Sequence, residues 1–329
     1  PGGIWRGCRK KIFVRTANKK AFQEEEIKIS VKAICKLFGR SRQSYYKRIQ
    51  TYSREKEARK KIIAFVNQQR VMMTRIGTRK LHYLIKPSLE KEGIKCGRDK
   101  LGAILKHEGL LVKKKKNYMR TTNSYHRFYK HPNLIKDTLI NHAEQVWVSD
   151  ITYIRTSEGF MYLSLITDLY SKKIVGYQLS DNLKTINCIN ALNKAIRERK
   201  YPERSLIHHS DRGFQYCNPD YIETLERNHI GVSMTTKHDP YENAVAERIN
   251  GTLKNEFDLV DHLPDQKHAE REINKTIWIY NNLRPHESCS YLTPYETHIK
   301  ENIILKKWPM RVRRKTEQNN ITLNQLCHT

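Results

Sequence analysis

QVWVSDITYIRT, residues 145–156, has the composition of a strand with an acid in its middle. Val, Ile, Trp, Tyr and Thr suit a pleated, half-buried surface, and twelve such residues are ample for one strand. Asp150 breaks the pattern. A carboxylate inside a half-buried strand costs free energy unless something pairs with it.

Working outward, SEG turns the chain, and FMYLSLITDLY and KKIVGYQLS read as two further strands of a meander. Residues 185–199 are helical, with an expected apolar face of Ile186, Ile189, Leu192 and Ile196. RSLIHHSDRG, residues 204–213, is a short strand entering a polar turn. Residues 218–228 form a helix with Asn218 as cap and Pro219 at its first position. GVSM is a brief strand, TTKHDPYEN a loop, and YENAVAERINGTLKNEF, residues 241–257, a helix. Three strands followed by alternating helices and strands predict a mixed α/β domain with an antiparallel start.

Three acids stand out on this frame. Asp150 lies within a strand, Asp211 at the end of one, and Glu247 on a helix, directly after Ala244, Val245 and Ala246. No basic residue lies three or four places from Glu247 to pair with it. Taken singly, each acid also fits an ordinary surface or capping carboxylate. Brought together, three carboxylates would repel and raise one another's pKa unless cations neutralised them. Mg²⁺ or Mn²⁺ suits such oxygen ligands, and two ions about 3.5–4 Å apart can clamp the attacking and leaving oxygens of a phosphoryl displacement.

The rest of the chain has another character. The net charge is +28, and residues 1–142 hold 37 Lys and Arg against 10 Asp and Glu, while residues 143–329 hold 25 against 24. A polycationic half joined to a neutral half predicts a polyanion partner, with nucleic acid foremost. In ISVKAICKLFGRSRQSYYKRIQ, residues 29–50, Ser30 caps a helix with the apolar face Val31, Ile34, Leu37 and Phe38. Gly39 stops it and Ser41 caps the next, a helix-turn-helix pattern. Arg40, Arg42, Gln43, Lys47 and Arg48 are then the expected DNA-contacting residues, with Tyr45 and Tyr46 as packing residues. A plain basic αα-hairpin fits the same letters. Over residues 78–111 a second helical unit has Leu81, Leu84 and Ile85 on one face, interrupted by Pro87 and ended by Gly93. Leu101, Ile104 and Leu105 then face inward before Gly109, and the run Lys113 to Lys116 follows. Residues 120–140 lose periodicity and read as a linker.

Seven scattered cysteines without a CxxC pair support neither a disulfide framework nor a zinc site, and they fit a reduced cytosol. The longest apolar run is too short to cross a bilayer and contains Asp168, so no membrane partner is expected. The first residue is Pro rather than Met, which fits a fragment or an upstream start.

WVSDITYI, HHSDRGFQY and DPYENAVAERINGTLKNE resemble the three acidic motif blocks of IS3-family insertion-sequence transposases, relatives of retroviral integrases. YNNLRPHESCSYLTPYE, residues 280–296, resembles the segment that follows them. The likeness runs from about residue 30 to residue 297. It implies a ribonuclease H-like catalytic core preceded by an all-α helix-turn-helix region. It also implies catalytic, metal-binding acids at Asp150, Asp211 and Glu247, with two Mg²⁺ (or Mn²⁺) ions. Lys254 matches the family's basic residue seven places past the glutamate, and Asn243 also matches; both are expected near DNA. Glu242 stands where the family commonly has Asp. The implied activity is transposition: binding of double-stranded DNA at terminal inverted repeats, 3′-end cleavage and strand transfer by a homo-oligomer in the bacterial cytoplasm, on the nucleoid. Such proteins are often made as frameshift fusions to an upstream segment, which fits the missing Met. A non-catalytic DNA-binding regulator and a nuclease that cuts without joining are the rival readings.

The expected division is a helix-turn-helix region over 1–60, a second helical DNA-binding region over 61–119, a linker over 120–142, the catalytic core over 143–260, and a helical extension with a basic tail over 261–329. For His208 and His209, orienting water and supporting a strand end both fit. For Arg212 the alternatives are a phosphate contact and an ion pair. Tyr280, Arg284, Pro285 and His286 fit either a DNA-facing loop or packing.

Overall fold

The computed structural model describes residues 30–113, 126–136, 138–236, 243–259 and 263–300. Most of the Lys113 to Lys116 run, the start of the linker (residues 120–125), most of the TTKHDPYEN loop and the tail with Arg311, Arg313, Arg314 and Lys315 lie outside the described residues.

The meander forms as its composition predicts: β1 (Val146–Thr156), β2 (Gly159–Asp168) and β3 (Ile174–Ser180) pair antiparallel in sequence. The short apolar strands β4 (Leu206–Ser210) and β5 (Ile230–Met234) add to the other side of β1, both parallel. The sheet order is β3-β2-β1-β4-β5, the ribonuclease H-like arrangement. Because strand residues alternate faces, β1 feeds two cores. Trp147 packs with α5 (Thr185–Arg197) and α7 (Pro219–Arg227), beyond the short α6 (Phe214–Cys217). Val146 and Val148 meet Ala246 of α8 (Ala244–Glu256), and Ile154 packs with α8 and α9 (Gln266–Asn282). A 3₁₀ turn at Glu287–Cys289 leads to α10 (Pro294–Ile299), entered through a Thr293/Glu296 capping box.

The buried face of α5 differs from expectation. Cys188, Ala191, Leu192 and Ala195 are buried, while Ile186 is exposed and Ile189 and Ile196 are only partly covered. The reason is Gly176 on β3: a Cβ there would stand 2.3 Å from the Ala191 carbonyl oxygen. The helix backbone rests on the sheet, so small side chains take the contact.

In the basic half, α1 (Val31–Leu37) and α2 (Arg42–Met72) form the predicted helix-turn-helix pair, capped by Ser30 and Ser41, with Gly39 at φ 60° between them. α1 buries Ile34 and Cys35 and leaves Leu37 exposed, so its inward face is rotated from the expected one. Tyr45 is a packing residue, whereas Tyr46 is exposed. α2 continues unbroken past residue 60, through Ile62 and Val66, to pack with α3 (Thr78–Lys91) and α4 (Arg98–His107). Pro87 does not interrupt α3, which runs on to Lys91. Leu81, Ile85 and Leu89 hold that helix in a core stable enough to absorb the one missing N–H. Ile279 of α9 joins the same cluster, so the helical unit sits against the catalytic core. The five described cysteines are free. Among the described residues no helix is long and apolar enough to cross a membrane.

Candidate active site

Strand register brings the first two acids together. Ser149 of β1 pairs with Ser210 of β4, so Asp150 and Asp211 each lie one step beyond that rung on neighbouring strands. Strands in a sheet run about 4.8 Å apart. Asp211 begins a tight turn, its Oδ1 accepting from the Gly213 N–H at 3.0 Å. A Cβ on Gly213 would lie 3.0 Å from that same oxygen, which favours glycine there.

The third acid arrives on α8. Asn243, Glu247, Asn250 and Lys254 follow at spacings of four, three and four, one face of a helix. That face is fastened to β1 at two points. Asn243 Nδ2 donates to the Ser149 carbonyl at 3.1 Å, and Asn250 Nδ2 donates to Asp150 Oδ2 at 2.7 Å. Between these buried asparagines Glu247 is exposed, at the rim. Asn243, expected near DNA, is thus a link between α8 and β1. Asn250 was not singled out from the sequence; its signal is a polar residue on the same helical face as the glutamate.

Electrostatics report the same proximity. Asp150 is half-buried, and its carboxyl is pushed up to about 7, chiefly by desolvation and then by the charge of Asp211. Hydrogen bonds from Asn250 and the Ile151 N–H oppose the rise, and Glu247 adds a smaller upward push. Glu247 is itself raised, by desolvation and by Asp211. Lys254 is lowered by burial, against a smaller upward pull from the charge of Asp150.

The donor set is oxygen only, which fits a hard divalent cation. The buried oxygens Asn243 Oδ1 and Asn250 Oδ1, on either side of Glu247, lack hydrogen-bond partners among the described residues, as acceptors in a hydrated site would. Yet among the described residues no three His, Cys, Asp or Glu side chains already form a metal-holding group. The acids influence one another without having closed into a cage.

The neighbouring residues have structural roles. His208 is buried, with Nε2 2.6 Å from Ser149 Oγ and 2.9 Å from Tyr221 OH, and desolvation pushes it down to about 3. His209 Nδ1 lies 2.9 Å from Ser233 Oγ. Tyr280 is buried and donates to the Lys172 carbonyl at 3.0 Å. Arg284 is buried in an ion pair with Glu256. Arg40, Arg42, Gln43, Lys47 and Arg48 are all exposed around the start of α2, and Arg48 also pairs loosely with Glu55 at 3.6 Å.

The chain is similar to several known proteins. The Integrase core domain family matches at residues 140–240, and a second family of the same description at residues 228–294. The "Insertion element IS600 uncharacterized 31 kDa protein" of Shigella sonnei is 36% identical over 266 residues, spanning 79% of this chain and 96% of that one. "Transposase InsF for insertion sequence IS3A" of Escherichia coli (strain K12) is 28% identical over 282 residues, 83% of this chain and 95% of that one. A chain of the simian T-cell lymphotropic virus intasome, solved in complex with PP2A regulatory subunit B56 gamma, is 18% identical with TM-score 0.42, over 71% of this chain and 79% of that one.

Proposed function

The chain belongs to the IS3 family of insertion-sequence transposases and is an enzyme with an integrase catalytic core; from that premise we propose that it binds its element's terminal inverted repeats, cleaves DNA 3′ ends and transfers them to a target. In this reading Asp150, Asp211 and Glu247 are the catalytic acids and hold two Mg²⁺ or Mn²⁺ ions. The observation that carries it is the strand register that sets Asp150 and Asp211 one step beyond the same rung on neighbouring strands, where burial and then the charge of Asp211 raise the Asp150 carboxyl; a divalent cation would relieve that repulsion. When bound, the ions would stabilise charge on the attacking and departing oxygens. The reading requires the three carboxylates to draw together on metal binding, because they are not yet a ligand group.

The chain's own residues prepare that site. Asn250 and the Ile151 N–H fix the two oxygens of Asp150. Asn243 ties α8 to β1 one turn before Glu247. Lys254, two turns past Glu247 on the same helical face, offers an ammonium suited to a phosphate next to the scissile bond. Around the start of α2, Arg40, Arg42, Gln43, Lys47 and Arg48 contact phosphates and base edges. The helices over 30–119, the core over 143–260 and the extension over 261–329 work as a homo-oligomer that holds two DNA ends, in the bacterial cytoplasm on the nucleoid.

Labelled element-end duplexes, incubated with the protein with and without Mg²⁺, test the proposal. Joined products that require the metal are expected. Binding alone would make the chain a regulator, and cleavage without joining a nuclease.

A further inference from the structure

The last residue of α8, nine places after Glu247, carries an unusual load. Glu256 Oε1 accepts from Lys80 Nζ of α3 at 2.6 Å and from Arg284 Nη2 at 3.0 Å, and its Oε2 accepts from Arg284 Nε at 2.7 Å. Its backbone carbonyl, one of the orphans at a helix C-terminus, accepts from the Arg75 N–H at 3.0 Å and from Thr74 Oγ1 at 3.3 Å. Side chain and main chain of one residue are thus both gripped by the N-terminal helical unit. The neighbouring Phe257 packs against the cores of both units. Further contacts flank the joint: Arg79 pairs with Glu287 at 3.2 Å, and the Tyr83 and Tyr291 rings stack at 4.8 Å.

We propose that Glu256 is a positioning residue: it locks the helical unit α2–α4 onto the helix that carries Glu247, so that DNA held by the former is presented to the acids in a fixed geometry. This rests on the transposase reading above. An α-helix is a stiff rod, and nine residues span only about 13.5 Å, so a shift at Glu256 is felt at Glu247. Two cations share the one carboxylate. Arg284 and Lys80 hold Glu256 down to about 2, against its desolvation, while burial and the charge of Arg284 lower Lys80. Removing the carboxylate's charge would leave two covered cations facing each other and open the joint.

The test uses the full chain as E256Q, E256D and K80M. K80M keeps the Glu256–Arg284 pair and so decides the matter if E256Q does not fold. Three quantities are read: affinity for a labelled duplex bearing the element's end, kcat and KM for strand joining, and amide hydrogen exchange along α3 and α8. The expected result is unchanged affinity and KM, a kcat lowered about tenfold to a hundredfold in E256Q, and partial recovery in E256D. K80M should fall between E256D and E256Q, with faster exchange reaching the turn that holds Glu247. Wild-type kcat in K80M, or faster exchange confined to α3, would overturn the proposal. A wild-type protein that joins nothing would instead sink the transposase reading, and the exchange measurement would still decide whether α3 and α8 are coupled.

Discussion

Asn250 Nδ2 donates to Asp150 Oδ2 at 2.7 Å, and this bond ties the side chain of the first acid directly to the helix of Glu247. Asn250 is buried, so its loss cannot be made good by bulk water. Asn250→Leu keeps the volume and removes the donor. Single-turnover joining at saturating duplex is expected to fall by about a hundredfold, with DNA affinity unchanged. Wild-type joining in this variant would show that Asp150 needs no such support.

The raised pKa of Asp150 makes a prediction about stability. Its carboxyl goes from an ordinary 3.8 to about 7 on folding, so between those values the folded state binds more protons than the unfolded chain. Its stabilising contribution is full below about pH 3.8 and is lost as pH rises through about 7. In EDTA, Tm measured from pH 4 to 8 should decline relative to Asp150→Asn, in which this component is absent. Equal slopes in the two proteins would be the contrary result.

Alanine or asparagine at Asp150, Asp211 or Glu247 is expected to abolish cleavage and joining while sparing DNA binding. For Asp211→Asn a second effect follows. Removing the largest charge acting on Asp150 should raise Tm at pH 7 in EDTA and reduce the further rise that Mg²⁺ produces. Retained joining in any of these variants would refute the site assignment.

Gly176→Ala tests the close approach of α5 to the sheet. The new methyl would stand 2.3 Å from the Ala191 carbonyl oxygen and 2.8 Å from the Ala195 Cβ. Overpacking of this kind costs about 1–3 kcal/mol. Urea denaturation should show that loss with an unchanged m-value.

Lys47→Ala and Arg42→Ala address the basic helices, where both side chains are exposed. Each should weaken binding to element-end and unrelated duplexes alike and reduce the slope of log K against log salt by about one. Fluorescence anisotropy across a salt series measures it, and an unchanged slope would remove that residue from the interface.

Much of the catalytic core was legible because its signals are local. Strand-length runs of β-branched and aromatic residues, the Asn218–Pro219 helix start and the Ser30 and Ser41 caps each mark an element within a few residues. What escaped depends on distant partners. The inward face of α5 was misjudged because hydrophobic periodicity counts Ile186 as core and ignores a glycine on another element. Pro87 reads as a break until the packing of Leu81, Ile85 and Leu89 is known. The Lys80–Glu256–Arg284 cluster joins residues 176 and 28 positions apart, a span that no periodicity crosses. The motif blocks mark the three acids and Asn243, whereas the Asn243 bond to Ser149 and the Asn250 bond to Asp150 are visible only in the fold.

The great length of α2 has a consequence for reach. Sixteen residues separate the buried Tyr45 from the buried Ile62, and none of them enters a core. They form a mast about 24 Å tall between the basic head and the core that α2 shares with α3 and α4. Laid along a duplex, that height equals about seven base pairs. In the reading proposed above, such a mast would act as a ruler, setting in base pairs the distance between the DNA gripped by the head and the point of cutting.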